Sequence, residues 1–268
     1  MPWEVVNQHV RRGRFRAAVF DFDGTLSLVR EGWAAVMANL GLDLLRERHL
    51  AIEPTALEHL EEEMLRLSGK PSIFQMRRLA EIVAERGGDS PDPEGLLAEF
   101  LKRLFAIMGH RKDRLAARLD PPTTWTVAGA HDVLENLQRR GVALYLASGT
   151  DYDYVLQEAE LLNLTRFFGQ HIYAPADNTP NFSKRDVMAM ILRDHGLTGE
   201  ELLGFGDGYS ETVEVKRVGG VAIGLATVEA GVPGLNRMKR RILIELGADV
   251  VIADYAEQEQ LVAWLFAE

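Results

Sequence analysis

The stretch AVFDFDGTL, Ala18 to Leu26, decides how this chain is read. Residues 17–22 are apolar almost throughout, as an interior strand requires, yet Asp21 and Asp23 interrupt the end of the run and Gly24 follows at once. In a strand, residues i and i+2 share one face, roughly 6.5–7 Å apart. Two carboxylates placed there repel, and burial makes each charge costlier. A divalent cation relieves both penalties. Open α/β sheets collect ligands just beyond the carboxyl ends of their strands, and a glycine lets the backbone turn sharply and approach a ligand closely. A single Asp at a strand end is commonly a turn residue. Asp-x-Asp-Gly-Thr after an apolar run is a less ordinary pattern.

Outward from that stretch, the composition sets limits. The chain has 268 residues, a formal net charge of -10, 47% hydrophobic and 26% charged residues, and no cysteine. This length fits one α/β domain with a large insertion, or two domains, in a soluble globular protein. The acidic balance argues against nucleic acid as the main partner, because phosphate backbones attract Lys/Arg-rich surfaces; RRGRFR, Arg11 to Arg16, reads as a solvated lead-in to the first strand. Disulfides, thiolate nucleophiles and Cys-zinc sites are excluded. No apolar run approaches the ~18 residues of a membrane span. The opening MPWEVVNQHV lacks the apolar core of a signal peptide. The expectation is a cytoplasmic protein.

Strand-like runs occur at 16–22, 142–148, 171–173, 202–205, 221–225 and 249–252, mostly separated by helical patterns. AHDVLENLQRRG places Val133, Leu134 and Leu137 on one face, with Gly141 to end the helix. Such alternation predicts an α/β fold, a parallel sheet flanked by helices on both faces. Residues 28–125 break it. GWAAVMANLGLDLLRE, TALEHLEEEMLRL, IFQMRRLAEIVAERGG and PEGLLAEFLKRLFAIM all read as helices, which predicts an all-helical module inserted into a core formed by residues 1–27 and 126–268. Within it, Trp33, Phe74, Phe100 and Phe105 read as core residues. Lys239, Arg240 and Arg241 read as a solvated helix face, as do Glu61, Glu62 and Glu63.

Three further stretches carry chemistry. In GFGDGYSE, Asp207 follows an apolar run directly and Glu211 comes one helical turn later; oxygen ligands of this kind suit Mg²⁺. The glycines do not make a dinucleotide loop, since Tyr209 stands where the third glycine belongs. LYLASGTD ends a strand in Ser148, Gly149 and Thr150, which is either a simple helix cap or a phosphate seat. SKRDVMAMIL opens a helix capped by Ser183, with Lys184 in a first turn where the dipole disfavours a cation. Lys184 is either a surface residue or the counter-charge of the acidic site.

Taken in order, Asp-x-Asp, Ser, Lys and Gly-Asp with a trailing acid resemble the motifs of the haloacid dehalogenase-like hydrolase superfamily. DFDGTL matches the first motif, LASGT the second, Lys184 the third and GDGYSE the fourth. The resemblance implies a Rossmann-like core with an α-helical cap. It also implies that Asp21 is a nucleophile and that Asp23 protonates the leaving oxygen and then activates water. Ser148, Gly149 and Lys184 would bind the phosphoryl group, and Mg²⁺ would be held by Asp21, the Asp23 carbonyl and Asp207, with Glu211 as a further ligand or orienter. Dehalogenases and phosphonatases of the family lack the second Asp, so phosphoester chemistry is favoured. Many relatives continue D-x-D-G-T-L with Asp-Ser, where this chain has Ser27 and Leu28. Lys70, in the loop SGKPSIFQM, and Arg30 are candidates to contact substrate. The expected activity is phosphatase action on a small phosphorylated metabolite. The alternatives are a phosphomutase of the β-phosphoglucomutase type and a catalytically silent phosphometabolite-binding protein.

Overall fold

The computed structural model describes residues 3–176, 182–228, 232 and 234–267. Seven strands, β1 (Glu4–Val5), β2 (Ala17–Phe20), β3 (Ala143–Ala147), β4 (Ile172–Tyr173), β5 (Leu202–Gly206), β6 (Val221–Leu225) and β7 (Val250–Ile252), form one sheet in the order β1-β7-β6-β5-β2-β3-β4. All pairings are parallel except that of β1 with β7. The first four helices all follow β2 and precede β3 in the chain: α1 (Trp33–Glu47), α2 (Ala56–Leu65), α3 (Ser72–Glu85) and α4 (Pro93–Ala116). The others are α5 (Ala130–Arg139), α6 (Tyr152–Leu161), α7 (Thr165–Phe168), α8 (Lys184–His195), α9 (Tyr209–Arg217), α10 (Arg237–Glu245) and α11 (Gln258–Leu265).

The central strand explains the layering. All four residues of β2 are buried, which a parallel sheet covered on both faces requires. Ala17 and Val19 pack with Val187, Met188 and Ile191 of α8 and Val215 of α9. Ala18 and Phe20 join the larger cluster with Leu134, Leu137, Phe168 and Leu261 on the opposite face. Phe20 also stacks on Phe205, its register partner in β5, with ring centroids 4.4 Å apart. That larger cluster runs on without a break into the apolar faces of α1–α4, through Met37, Leu60, Leu79 and Phe100.

Every strand expected from the sequence is present, and the differences are instructive. The first was expected to run to residue 22 but stops at Phe20. Beyond it the main chain turns, and the Phe22 carbonyl accepts hydrogen bonds from the N–H groups of Leu26 and Ser27, both at 2.9 Å. Asp21 and Asp23 therefore do not share a strand face. Two-residue β1 gave no alternation to read and gains its hydrogen bonds from the β7 edge. Helix α4 continues eight residues past the expected Met108, through Gly109, from a start capped by Asp92, whose side chain accepts from Gly95 N at 2.8 Å. Among the described residues no helix is long and apolar enough to cross a membrane.

Candidate active site

Strands β5, β2 and β3 are neighbours in parallel register, so their carboxyl ends come level. The residues that follow them directly are Asp207, Asp21 and Ser148. Alternation along β2 turns Asp21 toward the face that carries α8 and α9. Helix α8 is anchored there by Met188, and Lys184 lies one turn earlier on the same stripe. Helix α9 is anchored by Val215, and Glu211 again lies one turn earlier. The apolar anchoring of two helices thus brings Lys184 and Glu211 over the end of β2. Lys184 Nζ donates to Asp21 Oδ1 at 2.6 Å and also to Glu211 Oε1. All three groups are buried.

Asp23 points elsewhere. Its Oδ2 accepts from Thr150 Oγ1 at 2.8 Å, and Oδ1 lies 3.6 Å from Arg30 Nε. Arg30 is itself held by the wholly buried Glu158, through Nη2 at 2.7 Å and Nε at 3.1 Å. Ser148 is buried, and its Oγ accepts from Thr150 N at 3.1 Å, which orders the turn around Gly149. The two oxygens of Asp207 are both bonded: Oδ1 accepts from Ser68 Oγ at 2.9 Å and Oδ2 from Lys239 Nζ at 2.7 Å. Gly24, at φ 74°, is required here on two counts, since a Cβ would be strained and would collide with the Asp207 carboxylate.

Electrostatics follow from this crowding. Burial pushes Asp21 up to about 6, with the Lys184 ammonium opposing and Asp207 reinforcing the rise. Burial also pushes Asp23 up to about 6, against Arg30 and with the help of Glu158. Glu211 rises to about 8 through burial and the nearby Asp21, with Lys184 opposing. For Lys184, burial works against the ammonium, but Asp21 and Glu211 outweigh it and raise its pKa.

A cavity of about 80 Å³ borders Asp21, Asp23, Arg30, Ser148, Gly149 and Lys70. Trp33, Met37, Phe100 and Leu104 give it an apolar wall. Lys70 holds its ammonium 4.3 Å from the centre of the Tyr209 ring. Among the described residues no three acidic or histidine side chains converge on one point as a metal cage. Glu211 in particular turns to Lys184 rather than to Asp207. The donor set nonetheless fits a hard cation such as Mg²⁺: it is all oxygen, mutual repulsion among the carboxylates, which a cation would relieve, helps to raise the pKa of Asp21 and Asp23, and Asp23 Oδ1 and Glu211 Oε2 are buried without a hydrogen-bond partner.

The structure thus brings Asp21, Lys184 and Glu211 into direct contact and sets Asp23, Ser148, Gly149, Arg30 and Lys70 around one cavity. It also adds residues that the sequence did not announce. Ser68 and Lys239 hold Asp207, Glu158 holds Arg30, and the buried Gln75 lines the cavity with Oε1 unpartnered. Two surface expectations change. Lys239 is not solvated, its side chain being only 11% exposed, while Arg240 and Arg241 pair with Glu4 and Glu62. Phe74, expected in the core, is 40% exposed. A signal for Lys239 did exist: like Lys184 it sits in the first turn of a capped helix, since Asn236 Oδ1 accepts from Met238 N and Lys239 N at 3.0 Å.

Solved structures with this architecture are alike in fold over nearly the whole chain. A conserved haloacid dehalogenase-like protein of unknown function from Agrobacterium tumefaciens is 18% identical with a TM-score of 0.62, covering 94% of this chain and 100% of its own. A hydrolase of that family from Deinococcus radiodurans, with bound phosphate and sodium, is 19% identical with a TM-score of 0.58, covering 94% and 97%. A predicted phosphoglycolate phosphatase from Haemophilus somnus is 14% identical with a TM-score of 0.58, covering 92% and 98%. A comparison with curated proteins finds no match. Residues 15–214, which carry Asp21, Asp23, Ser148, Lys184, Asp207 and Glu211, match the family model described as haloacid dehalogenase-like hydrolase, and the chain belongs to that family.

Proposed function

We propose that this chain is a Mg²⁺-dependent phosphatase that hydrolyses a small phosphorylated metabolite in the cytoplasm through an aspartyl-phosphate on Asp21. One observation carries the reading: Asp21 and Asp23 border the same cavity with different partners, Asp21 bonded to the Lys184 ammonium and Asp23 to the Thr150 hydroxyl. That division separates a nucleophile from an acid–base group. Membership of a hydrolase family and the phosphate held by the Deinococcus neighbour support it.

In the first step an Asp21 carboxylate oxygen bonds to phosphorus while the ester P–O bond breaks. Asp23, pushed up to about 6, gives its proton to the leaving oxygen. In the second step Asp23 takes a proton from water as the water oxygen bonds to phosphorus. The Asp21–phosphorus bond breaks, and inorganic phosphate leaves. Lys184 balances charge on the phosphoryl oxygens, which Ser148 and Gly149 seat. Asp21, the Asp23 carbonyl and Asp207 would hold Mg²⁺, with Glu211 an orienting group; the ion supplies the electrostatic stabilisation that lets carboxylate and phosphate meet. Arg30, fixed by Glu158, orients Asp23, and Lys70 faces the substrate. Residues 28–125 act as the cap over a core of residues 1–27 and 126–268.

The test is phosphate release from a panel of phosphorylated metabolites with Mg²⁺, with chelator, and with Asp21→Asn. Release is expected only from the wild type with Mg²⁺. Release that persists in Asp21→Asn sinks the mechanism. Isomerisation of a hexose phosphate without net phosphate release replaces the phosphatase by the phosphomutase alternative.

A further inference from the structure

We infer that Lys239 is a tethered counter-ion of Asp207, which neutralises that carboxylate in the metal-free protein and is displaced when a divalent cation binds. The inference rests on the metal reading above. Lys239 Nζ donates to Asp207 Oδ2 at 2.7 Å and to Thr227 Oγ1 at 3.0 Å. Thr227 in turn donates to the Gly24 carbonyl at 2.9 Å, so the ammonium is tied to the turn that carries Asp21 and Asp23. The side chains of Asp207 and Lys239 are 1% and 11% exposed. A carboxylate this deep is costly unless paired. Its only other polar partner among those described is a neutral hydroxyl, Ser68 Oγ.

A dication and an ammonium cannot both sit at full strength on one buried carboxylate, because their mutual repulsion is little screened there. The ammonium has the means to leave. It rides on a flexible four-carbon stem. The adjoining cavity, about 90 Å³, is lined by Gly24, Thr227, Lys239 and the acidic side chains of Glu31 and Glu61. That cavity gives the stem room to swing away from Asp207. The consequence is a site that stays folded without metal and binds metal less tightly than its carboxylates alone would.

Two measurements test this on the 268-residue chain. Titration calorimetry with Mg²⁺ is expected to give binding to Lys239→Met tighter than to the wild type, on the order of tenfold, because one competing charge is gone. In the wild type, a limiting amine-acylating reagent read out by peptide mass spectrometry is expected to label Lys239 several-fold more with Mg²⁺ than with chelator. The second measurement stands even where Lys239→Met fails to fold. Equal or weaker Mg²⁺ binding in a folded Lys239→Met, or labelling of Lys239 that Mg²⁺ leaves unchanged, overturns the inference and leaves the metal reading intact. Absence of Mg²⁺ binding in both proteins overturns the metal reading and this inference with it.

Discussion

Lys184 starts a helix, where the dipole disfavours it, and is held there by Asp21 and Glu211 in a space closed to water. Removing one partner of a buried ionic cluster leaves the others uncompensated, which costs more than the cluster itself contributes. Lys184→Met is therefore expected to lower stability by about 3–5 kcal/mol in urea titrations run with chelator, and to abolish phosphate release. Gln75 makes the opposite case. Its buried Oε1 has no partner on the cavity wall, an arrangement that costs stability and is retained where a ligand supplies the missing bond. Gln75→Leu is expected to leave the melting temperature equal or higher while raising KM for the preferred substrate. A fall in stability with unchanged KM would mark Gln75 as structural.

At the scale of elements, the turn after β2 is where the site is made. Gly24 lies at φ 74° with Asp207 against it. Gly24→Ala is expected to cost about 1 kcal/mol for the left-handed backbone and, by pushing Asp207 aside, to weaken Mg²⁺ binding in calorimetry more than it lowers stability. Much of this scale was legible in the sequence. Apolar runs ending in Asp21, Ser148 and Asp207 marked three strands, because interior parallel strands need no polar face. The return of Glu211 to the side of Asp207 after one helical turn was visible in the spacing, whereas the anchoring of Lys184 through Met188 and of Glu211 through Val215 came only with the packing of α8 and α9. Other features were not legible, for identifiable reasons. Strand β1 exists only through its pairing with β7, and edge pairing leaves no local pattern. Lys239 stood beside Arg240 and Arg241, and a run of three cations reads as solvated until the fold turns one of them inward. Glu158 is buried because it meets Arg30 from another element, a partnership 128 residues apart in sequence.

Across the whole molecule, the acidic centre makes stability depend on pH in a direction opposite to ordinary acid denaturation. Glu211 titrates near 8 in the folded protein and near 4.5 when unfolded. Asp21 and Asp23 titrate near 6 when folded and near 3.8 when unfolded. Between those limits the folded state holds protons that the unfolded state has lost. Stability from these groups is therefore fully present below the unfolded values and is lost as pH rises through the folded ones. From about pH 6 to about pH 8 the decline belongs mainly to Glu211, at no more than roughly 1.4 kcal/mol per pH unit. In chelator, the wild type is expected to lose stability over that interval in urea titrations, and Glu211→Gln, which has no proton to lose there, is expected to lose much less. Added Mg²⁺ should restore the wild type most at the alkaline end, where the carboxylates are charged and most in need of a counter-ion. Stability that stays level from about pH 6 to about pH 8 in chelated wild type, or that falls equally in Glu211→Gln, would mean that Glu211 is already ionised beside Lys184 throughout, and that the centre carries its full negative charge before any metal arrives.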